Sequence, residues 1–276
     1  MASGVPGRSF KVPLVAVEPG RRLAAVSLRV REPDLPAVAS AIRSRIAAAG
    51  IRILGFACSA DGDAYACVGL GDYTDAPASP AEVADWLSSI PGVLEVNLHV
   101  APVDGFAAVG GLVLEAAGAR AIVMSSRAFA GLLQGPREYL GEDAGASFVY
   151  YEGFFAGRAM GEYLLGFGRE RALAMLPRIW EARGYAPNIE MLVDRDGSRY
   201  RFEARRLIEC EVLSRYVKGR ARTSHFFRGM VAGVLSTLEG GEWDVEEVEC
   251  VNDGSDRCAF EARRRPPRGG GGASPE

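Results

Sequence analysis

Residues 226–262 read FFRGMVAGVLSTLEGGEWDVEEVECVNDGSDRCAFEA, a helical pattern followed by two short strands with a glycine turn between them. Cys250 ends the first strand and Cys258 begins the second, so the hairpin folds the two thiols towards each other. Two thiols at one hairpin form half of a tetrahedral zinc site, and Glu247 would add a carboxylate oxygen. Strand alternation places Glu247 and Cys250 on opposite faces, so a shared ion requires a bulge or twist between them.

The remaining ligand of such a site has two sources in the sequence. His225 stands at the predicted start of the preceding helix, beside Ser224, and Cys210 ends the predicted strand before that helix. A cross-strand disulfide and plain buried thiols are the alternatives to a metal. Cys58 and Cys67 flank another hairpin without a further histidine or cysteine nearby, so they are predicted to be small buried hydrophobic residues.

The composition predicts a soluble globular protein. The chain has 276 residues, 48% of them hydrophobic and 24% charged, which suffices for one large or two ordinary domains. A formal net charge of −3 gives no electrostatic reason to expect nucleic-acid binding. The most apolar stretch, 105–124, is interrupted by Glu115 and Arg120, and the N-terminus lacks a secretory pattern. We therefore expect a cytoplasmic protein without a membrane segment.

The N-terminal part alternates strand and helix patterns. Apolar alternation predicts four strands, at 23–30, 51–59, 64–70 and 93–100. Helical patterns fill the first and last intervals between them, and one of these helices ends at Gly50, a natural C-terminal cap. The β-α-β-β-α-β order is that of ferredoxin-like folds. The unit resembles an ACT-type regulatory domain, and this likeness implies a module that binds a small effector or pairs its sheet into a dimer.

The C-terminal part segregates its helices and strands into blocks, which favours an α+β domain with an antiparallel sheet and packed helices. The tail is rich in arginine, proline and glycine and has no apolar surface to bury, so it is predicted to be disordered. The predicted organisation is an N-terminal extension (1–20), an ACT-like ferredoxin-fold domain (21–104), a linker (105–118), a ligand-binding domain (119–264) and the tail (265–276).

Two of the C-terminal helices carry glycine at every fourth position, Gly153, Gly157 and Gly161 in one and Gly229 and Gly233 in the other. This spacing places the glycines on one face, where they allow either close helix packing or a ligand cavity walled by nearby aromatic side chains. The predicted ligand-binding residues are Tyr150, Tyr151, Phe154, Phe155, Gly157, Phe226, Phe227 and Met230.

The segment that opens this section is similar to the C-terminal signature of the 4-vinyl reductase family of small-molecule-binding domains. The glycine-bearing helix, the Glu-x-x-Cys strand from Glu247, the turn at Gly254 and the final Cys-x-Phe from Cys258 carry the resemblance, which extends over 115–263. Relatives include phenol sensors in which three cysteines and a glutamate bind a structural zinc. Three of those positions match Glu247, Cys250 and Cys258, while the fourth falls on Ser224, where the neighbouring His225 would substitute.

The resemblance implies a cytoplasmic sensor that binds a hydrophobic molecule, aromatic or hydrocarbon, in its C-terminal domain. We expect a homodimer that passes its signal to a downstream protein partner and has no direct contact with nucleic acid. The family name offers a vinyl-group reductase of tetrapyrroles as one alternative. The sequence shows no nucleotide-cofactor fingerprint, so we expect binding rather than catalysis. The second alternative is an assembly subunit, because the fold is shared with subunits of vesicle-tethering complexes.

Overall fold

The computed structural model of the chain describes residues 9–100, 103–216 and 222–266. It divides into two compact units, one ending at Ile122 and one beginning at Val123. The expected boundary at residue 119 lies slightly earlier, because two short strands that flank it, β7 (Glu115–Ala116) and β8 (Ala119–Arg120), pair with each other within the first unit.

The N-terminal unit contains the predicted order of strands and helices. Its central elements are β2 (Leu23–Arg31), α1 (Leu35–Ala48), β3 (Arg52–Asp61), β4 (Ala64–Asp72), α2 (Pro80–Ser88) and β5 (Val93–His99). The four strands form one antiparallel sheet in the order β3-β4-β2-β5. The second helix begins with a capping box, in which Ser79 and Glu82 satisfy each other's backbone N–H groups.

Each face of this sheet is covered by different elements. The helices cover the face that carries Val26, Leu28 and Val30 of β2. The opposite face is covered by two further strands, β1 (Val15–Val17) and β6 (Phe106–Ala108), which pair antiparallel with each other. The predicted N-terminal extension and linker therefore form part of the first unit instead of standing outside it. Residues 1–8 lie outside the described residues.

The two cysteines of the β3–β4 hairpin are bonded to each other, which corrects the prediction of plain buried thiols. Cys58 and Cys67 are directly opposed in the strand register and form a disulfide. Their positions on either side of the turn are evident from the sequence, but only the register shows that they are cross-strand partners.

The C-terminal unit confirms the predicted α+β class. Its elements are α3 (Ser126–Leu140), α4 (Glu142–Leu165), α5 (Arg169–Ala182), β9 (Asn188–Val193), β10 (Arg199–Arg205), α6 (Ile208–Leu213), α7 (His225–Leu238), β11 (Trp243–Glu249) and β12 (Cys258–Arg264). The strands form one antiparallel sheet in the order β11-β12-β10-β9. An aromatic core of Trp180, Phe202, Phe227 and Phe260 holds α5 and α7 against this sheet.

Two local features of this unit differ from the sequence prediction. The predicted break at Gly135 and Pro136 does not interrupt α3, which continues through both residues. Cys210 does not end a strand but lies in the short helix α6, because β10 ends at Arg205 and the chain turns at Arg206, which has a positive φ of 57°. Most of the predicted tail, 267–276, lies outside the described residues, while Arg265 pairs with Glu242 and Asp244.

None of the helices in the described ranges is both long enough and apolar enough to cross a lipid bilayer.

Candidate functional site

Four ionisable side chains converge at one buried point of the C-terminal unit: Cys210, Glu247, Cys250 and Cys258. Their potential ligand atoms all lie within 4.8 Å of one another. The sulfur of Cys210 is 3.5 Å from that of Cys250, 3.2 Å from that of Cys258 and 4.0 Å from Oε1 of Glu247. We call these four residues the cysteine–glutamate cluster.

Three separate segments bring the cluster together. The helix α6 supplies Cys210, and the two sides of the β11–β12 hairpin supply the other three ligands. The register of β11 shifts between Glu247 and Glu249, so the irregularity that the sequence required for Glu247 and Cys250 to share an ion is present. A 3-10 turn after Cys250 ends at Gly254, whose left-handed φ of 104° returns the chain to Cys258.

A set of hydrogen bonds holds the cluster in place. Both oxygens of Glu247 accept from Ser224, Oε2 from the backbone N–H at 3.0 Å and Oε1 from the hydroxyl at 2.8 Å. The same hydroxyl lies 2.8 Å from the sulfur of Cys210. The Asn252 amide donates to the carbonyl of Cys210 at 3.1 Å and to the Thr223 hydroxyl at 2.9 Å. Contacts of this kind orient ligands around metals in proteins.

The electrostatics of the cluster favour a cation. Burial, reinforced by the neighbouring Cys250, raises the pKa of Glu247 to about 9. Hydrogen bonds from Cys210 and Cys258 hold the pKa of Cys250 far below its usual value, and the same contact with Cys250 raises the pKa of Cys210. Only part of the cluster can therefore ionise by itself. Three sulfurs and one carboxylate oxygen are donors that suit tetrahedral zinc, so the cluster fits the metal that the sequence implied.

His225 does not join the cluster, and Cys210 occupies the place predicted for it. The first residue of α7 is His225, whose Nδ1 lies 3.2 Å from a guanidinium nitrogen of Arg228. Burial and the charge of Arg228 lower the pKa of His225 to about 4, so this imidazole is neutral. Ser224, the position at which the family resemblance placed a cysteine, supports Glu247 and Cys210 instead of supplying a sulfur.

Glu209 supports the site and was not identified from the sequence. Its two carboxylate oxygens accept from the backbone N–H groups of Phe226 and Phe227, each at 2.8 Å, at the start of α7. Burial raises the pKa of Glu209 to about 7. A local capping motif would have revealed such a contact, but Glu209 acts from another helix and leaves no pattern in the sequence.

Three of the predicted ligand-binding residues line one crevice. Tyr150, Tyr151 and Phe154 of α4, with Trp243 of β11, bound a cavity of about 600 Å³. A second cavity, of about 530 Å³, shares Tyr150 and is also lined by Arg228. The guanidinium of Arg228 lies 5.0 Å from the centre of the Tyr150 ring, and its buried Nε has no hydrogen-bond partner within the described part of the chain. We call the two cavities together the Tyr150 crevice.

The other aromatic residues of the prediction lie elsewhere. Phe155 is 61% exposed. Phe226 meets the ring edge of Phe129, with ring centroids 5.8 Å apart. Phe227 is part of the filled aromatic core, where its ring lies 5.1 Å from that of Trp180.

Gly157 and Met230 form a helix contact. A Cβ atom at Gly157 would overlap the carbonyl oxygen of Met230, and Cβ atoms at Gly153, Gly229 and Gly233 would each overlap backbone atoms of the facing helix. The glycine faces of α4 and α7 are therefore occupied by the opposite backbone and have no space for a ligand. Of the two interpretations of the glycine pattern, the structure supports close helix packing.

Comparison with known proteins identifies a family for part of this unit. A model of the vinyl-4-reductase domain family matches residues 206–264. No curated protein matches the chain.

Three solved structures to which the chain is similar illustrate the range of its structural likenesses. One is the phenol-responsive sensory domain of the transcription activator PoxR with phenol, at 21% identity, covering 53% of this chain and 77% of that one, with a TM-score of 0.46. Another is a trafficking protein particle complex subunit 3 from Naegleria fowleri covalently bound to palmitic acid, at 13% identity, 51% and 95% coverage and a TM-score of 0.38. The third is a vinyl-4-reductase family protein from Methanocaldococcus jannaschii, at 18% identity, 54% and 100% coverage and a TM-score of 0.32.

The matched segment 206–264 contains α6, α7, β11 and β12, and therefore all four residues of the cysteine–glutamate cluster. The likeness of the N-terminal unit to ACT-type domains stays a prediction. The C-terminal unit of this chain carries a vinyl-4-reductase domain, as the resemblance of its sequence predicted.

Proposed function

We propose that this protein is a small-molecule-binding regulatory protein whose C-terminal unit is clamped by a structural zinc ion. The observation that carries the proposal is the convergence of Cys210, Glu247, Cys250 and Cys258, from three segments, at one buried point. A buried group of this composition has no simpler explanation as ordinary packing, because buried ionisable groups are stable only when they are paired or bind metals.

The zinc would be held by the cysteine–glutamate cluster. With four protein ligands, such a site has no open position for substrate or water, which is typical of a structural site. The ion would supply the positive charge that three thiolates and a carboxylate require, and its binding free energy would add to that of folding. It would join α6 to the β11–β12 hairpin and support Glu247, whose partner Ser224 immediately precedes α7.

The Tyr150 crevice is the proposed ligand site. Its larger cavity of about 600 Å³ lies within the range of about 300–1,000 Å³ that is usual for small-molecule sites. The rings of Tyr150, Tyr151 and Phe154 provide apolar surface, while Arg228 offers a buried N–H without a partner in the described residues. The ligand expected here has an aromatic or hydrocarbon body and carries an acceptor oxygen that satisfies this N–H.

The helix α7 links the two sites. Its first turn follows Ser224, which supports the metal ligands, and Arg228 of the crevice lies one turn further along. Exposed aromatic side chains of α4, among them Tyr151 and Phe155, support the expectation of a homodimer or of a downstream partner that covers this helix. Three free thiols in one buried cluster support the proposed cytoplasmic location, since thiols stay reduced in that compartment.

The metal is tested by elemental analysis of protein purified without added metal. We expect about one zinc per chain, lost in Cys210→Ser and in Cys250→Ser because each variant removes one of the four donors. His225→Ala is the matched control and should keep its zinc, because His225 lies outside the cluster. A disulfide between cluster cysteines in a freshly reduced lysate, or zinc that depends on His225 and not on Cys210, would contradict the proposal.

The ligand site is tested by fluorescence titration, since Trp243 lines the crevice. Phenol, benzoate and decanoate are suitable probes of an apolar body with an acceptor oxygen. We expect saturable binding that is weakened in Arg228→Gln and in Tyr150→Ala, whereas Tyr139→Ala, at a residue that is 90% exposed, should bind as the wild type does. Equal affinities in all four proteins would show that the crevice is not the ligand site.

A further inference from the structure

The N-terminal unit contains an apolar cavity of its own, between α1 and the sheet. Its volume is about 480 Å³. Ile42 and Ile46 of α1 form one wall, Ile53 and Phe56 of β3 form the opposite wall, and Gly69 and Gly71 of β4 form the floor. We call this space the α1–β4 cavity.

The cavity exists because part of α1 has no side chains opposite it. Val38, Ile42 and Ile46 are spaced four residues apart and form one stripe, which a helix on a sheet normally buries along its whole length. Here Val38 is buried, but Ile42 and Ile46 are only half-buried. The sheet positions that line the same space include Gly69 and Gly71, which contribute no side chain to fill it.

The two glycines of the floor differ in what the protein's own packing requires. A Cβ atom at Gly71 would lie 2.9 Å from Cε2 of Tyr73 and 3.3 Å from Cγ2 of Ile51, so packing alone accounts for that glycine. A Cβ atom at Gly69 would lie 3.6 Å from Cδ2 of Phe56, an ordinary contact. Glycine inside a strand reduces stability and often marks a site that another molecule approaches closely. At Gly69 the fold itself gives no reason for this loss of stability.

One charged side chain, Arg43, lines the cavity. Other arginines of this unit are paired with carboxylates: Arg31 lies 2.6 Å from Asp34, and Arg52 lies 3.1 Å from Asp72. Across residues 9–100, 103–216 and 222–266, Arg43 has no carboxylate partner. The cavity therefore combines an apolar interior with one unpaired positive charge at the exposed face of α1.

We propose that the α1–β4 cavity is a second ligand site, which binds a small amphipathic acid. The apolar body of the ligand would lie on Gly69 between Ile42 and Phe56, and its anionic group would pair with Arg43. An apolar cavity of this volume with one convergent polar group is the usual composition of a small-molecule site. The site lies wholly within the N-terminal unit and does not depend on the function proposed for the C-terminal unit.

The first test fills the cavity without disturbing the fold. The probe is 8-anilinonaphthalene-1-sulfonate, an apolar body with one anionic group, titrated against the full chain in a Tyr150→Ala background and displaced with decanoate. Gly69→Val places a branched side chain in the cavity, and we expect it to weaken binding at least about tenfold without lowering the melting temperature, because valine suits a strand. Ala66→Val, on the opposite face of the same strand, is the matched control and should bind normally.

The second test addresses the anionic group of the ligand. Arg43→Gln should weaken decanoate binding about tenfold, and Arg43→Lys should restore most of it, since the lysine keeps the charge. Unchanged affinity in Gly69→Val would overturn the proposal. So would a loss of self-association in Gly69→Val, measured by sedimentation, because it would show that a second copy of the chain occupies the cavity instead of a small molecule.

Discussion

Glu247 lies among three thiols at 5% exposure, and its surroundings decide which ions the cluster can accept. Both of its oxygens are oriented by Ser224, so the carboxylate cannot rotate freely towards solvent. Three sulfur donors select soft or borderline cations such as zinc, while magnesium and calcium require oxygen ligands. Three thiolates and a carboxylate carry more negative charge than one divalent ion neutralises, and the N–H and hydroxyl donated by Ser224 stabilise part of the excess.

Tyr200 is a second residue whose environment has a measurable consequence, away from the metal cluster. Its hydroxyl donates to Oε1 of Glu239 at 2.9 Å, and burial together with this carboxylate raises the pKa of Tyr200 to about 12. The unfolded chain releases this proton near pH 10, before the folded protein does. The stabilisation is therefore complete below pH 10 and is lost as the pH rises through 12.

We expect the free energy of unfolding of the wild type to fall between pH 10 and pH 12, and to fall less in Tyr200→Phe, which has no proton to lose at this position. Urea unfolding at a series of pH values, with tyrosinate absorbance recorded in parallel, measures the difference. Parallel pH profiles for the two proteins would show that the Tyr200 hydroxyl does not make this contribution.

Single residues also mark the limit of what the sequence predicted. The hairpin ligands Glu247, Cys250 and Cys258, and the irregularity between them, followed from strand alternation and a glycine turn, which are local patterns. Cys210 was placed at a strand end because RYRFEARRLIEC continues an apolar alternation beyond Arg205. The turn at Arg206, in a left-handed conformation that non-glycine residues seldom adopt, has no sequence pattern that would have revealed it.

At the scale of elements, α4 and α7 are the most closely packed pair of helices in the C-terminal unit. Glycines on both helices allow the backbones to approach so closely that a Cβ atom at Gly153 or Gly229 would overlap carbonyl oxygens of the facing helix. Each interior glycine reduces helix stability by about 1 kcal/mol relative to alanine. Close packing between the two helices offsets that loss, because more atoms reach contact distance along the pair.

We predict that Gly229→Ala destabilises the protein by about 2 kcal/mol or more, since the methyl group forces the backbones apart. Gly131→Ala in α3 is the matched control. No described atom lies within 4 Å of the position that its Cβ would take, so this variant should gain about 0.5–1 kcal/mol from its higher helix propensity. Urea unfolding of both variants measures these changes. Equal stabilisation by both substitutions would contradict the close contact between α4 and α7.

The elements also show why the ligand prediction was only partly right. Four-residue spacing identified the glycine faces, but the same pattern is consistent with a cavity or with a facing helix. Tyr150, Tyr151 and Phe154 lie on the side of α4 that lines the crevice, whereas Gly157 lies on the side that meets α7. Which side of a helix meets a partner depends on contacts between distant segments, and a single sequence does not contain them.

At the scale of the whole molecule, each of the two units has its own hydrophobic core. The predicted order of elements is present in the N-terminal unit, because its strand and helix periods alternate clearly along the chain. Its outer strands β1 and β6 were missed, since each has only three residues and their pairing joins segments about ninety residues apart.

We predict that removal of the metal affects only the C-terminal unit. All four residues of the cysteine–glutamate cluster belong to it, so dialysis against a chelator should speed amide hydrogen exchange in α7 and β12 and leave β2 and β4 unchanged. Exchange measured by mass spectrometry, with and without restored zinc, distinguishes the two units. Equal acceleration in both units, or no change in either, would contradict a structural ion confined to the C-terminal unit.

The interlocked backbones of α4 and α7 constrain how a binding event could be communicated. Neither helix can rotate or slide against the other without a steric clash, so any displacement of α7 would carry α4 with it as a single lever. The outward side of that lever bears the aromatic rings of Tyr151 and Phe155. Movement generated near the ion or the bound molecule would therefore be displayed at this outer surface, where another protein could detect it.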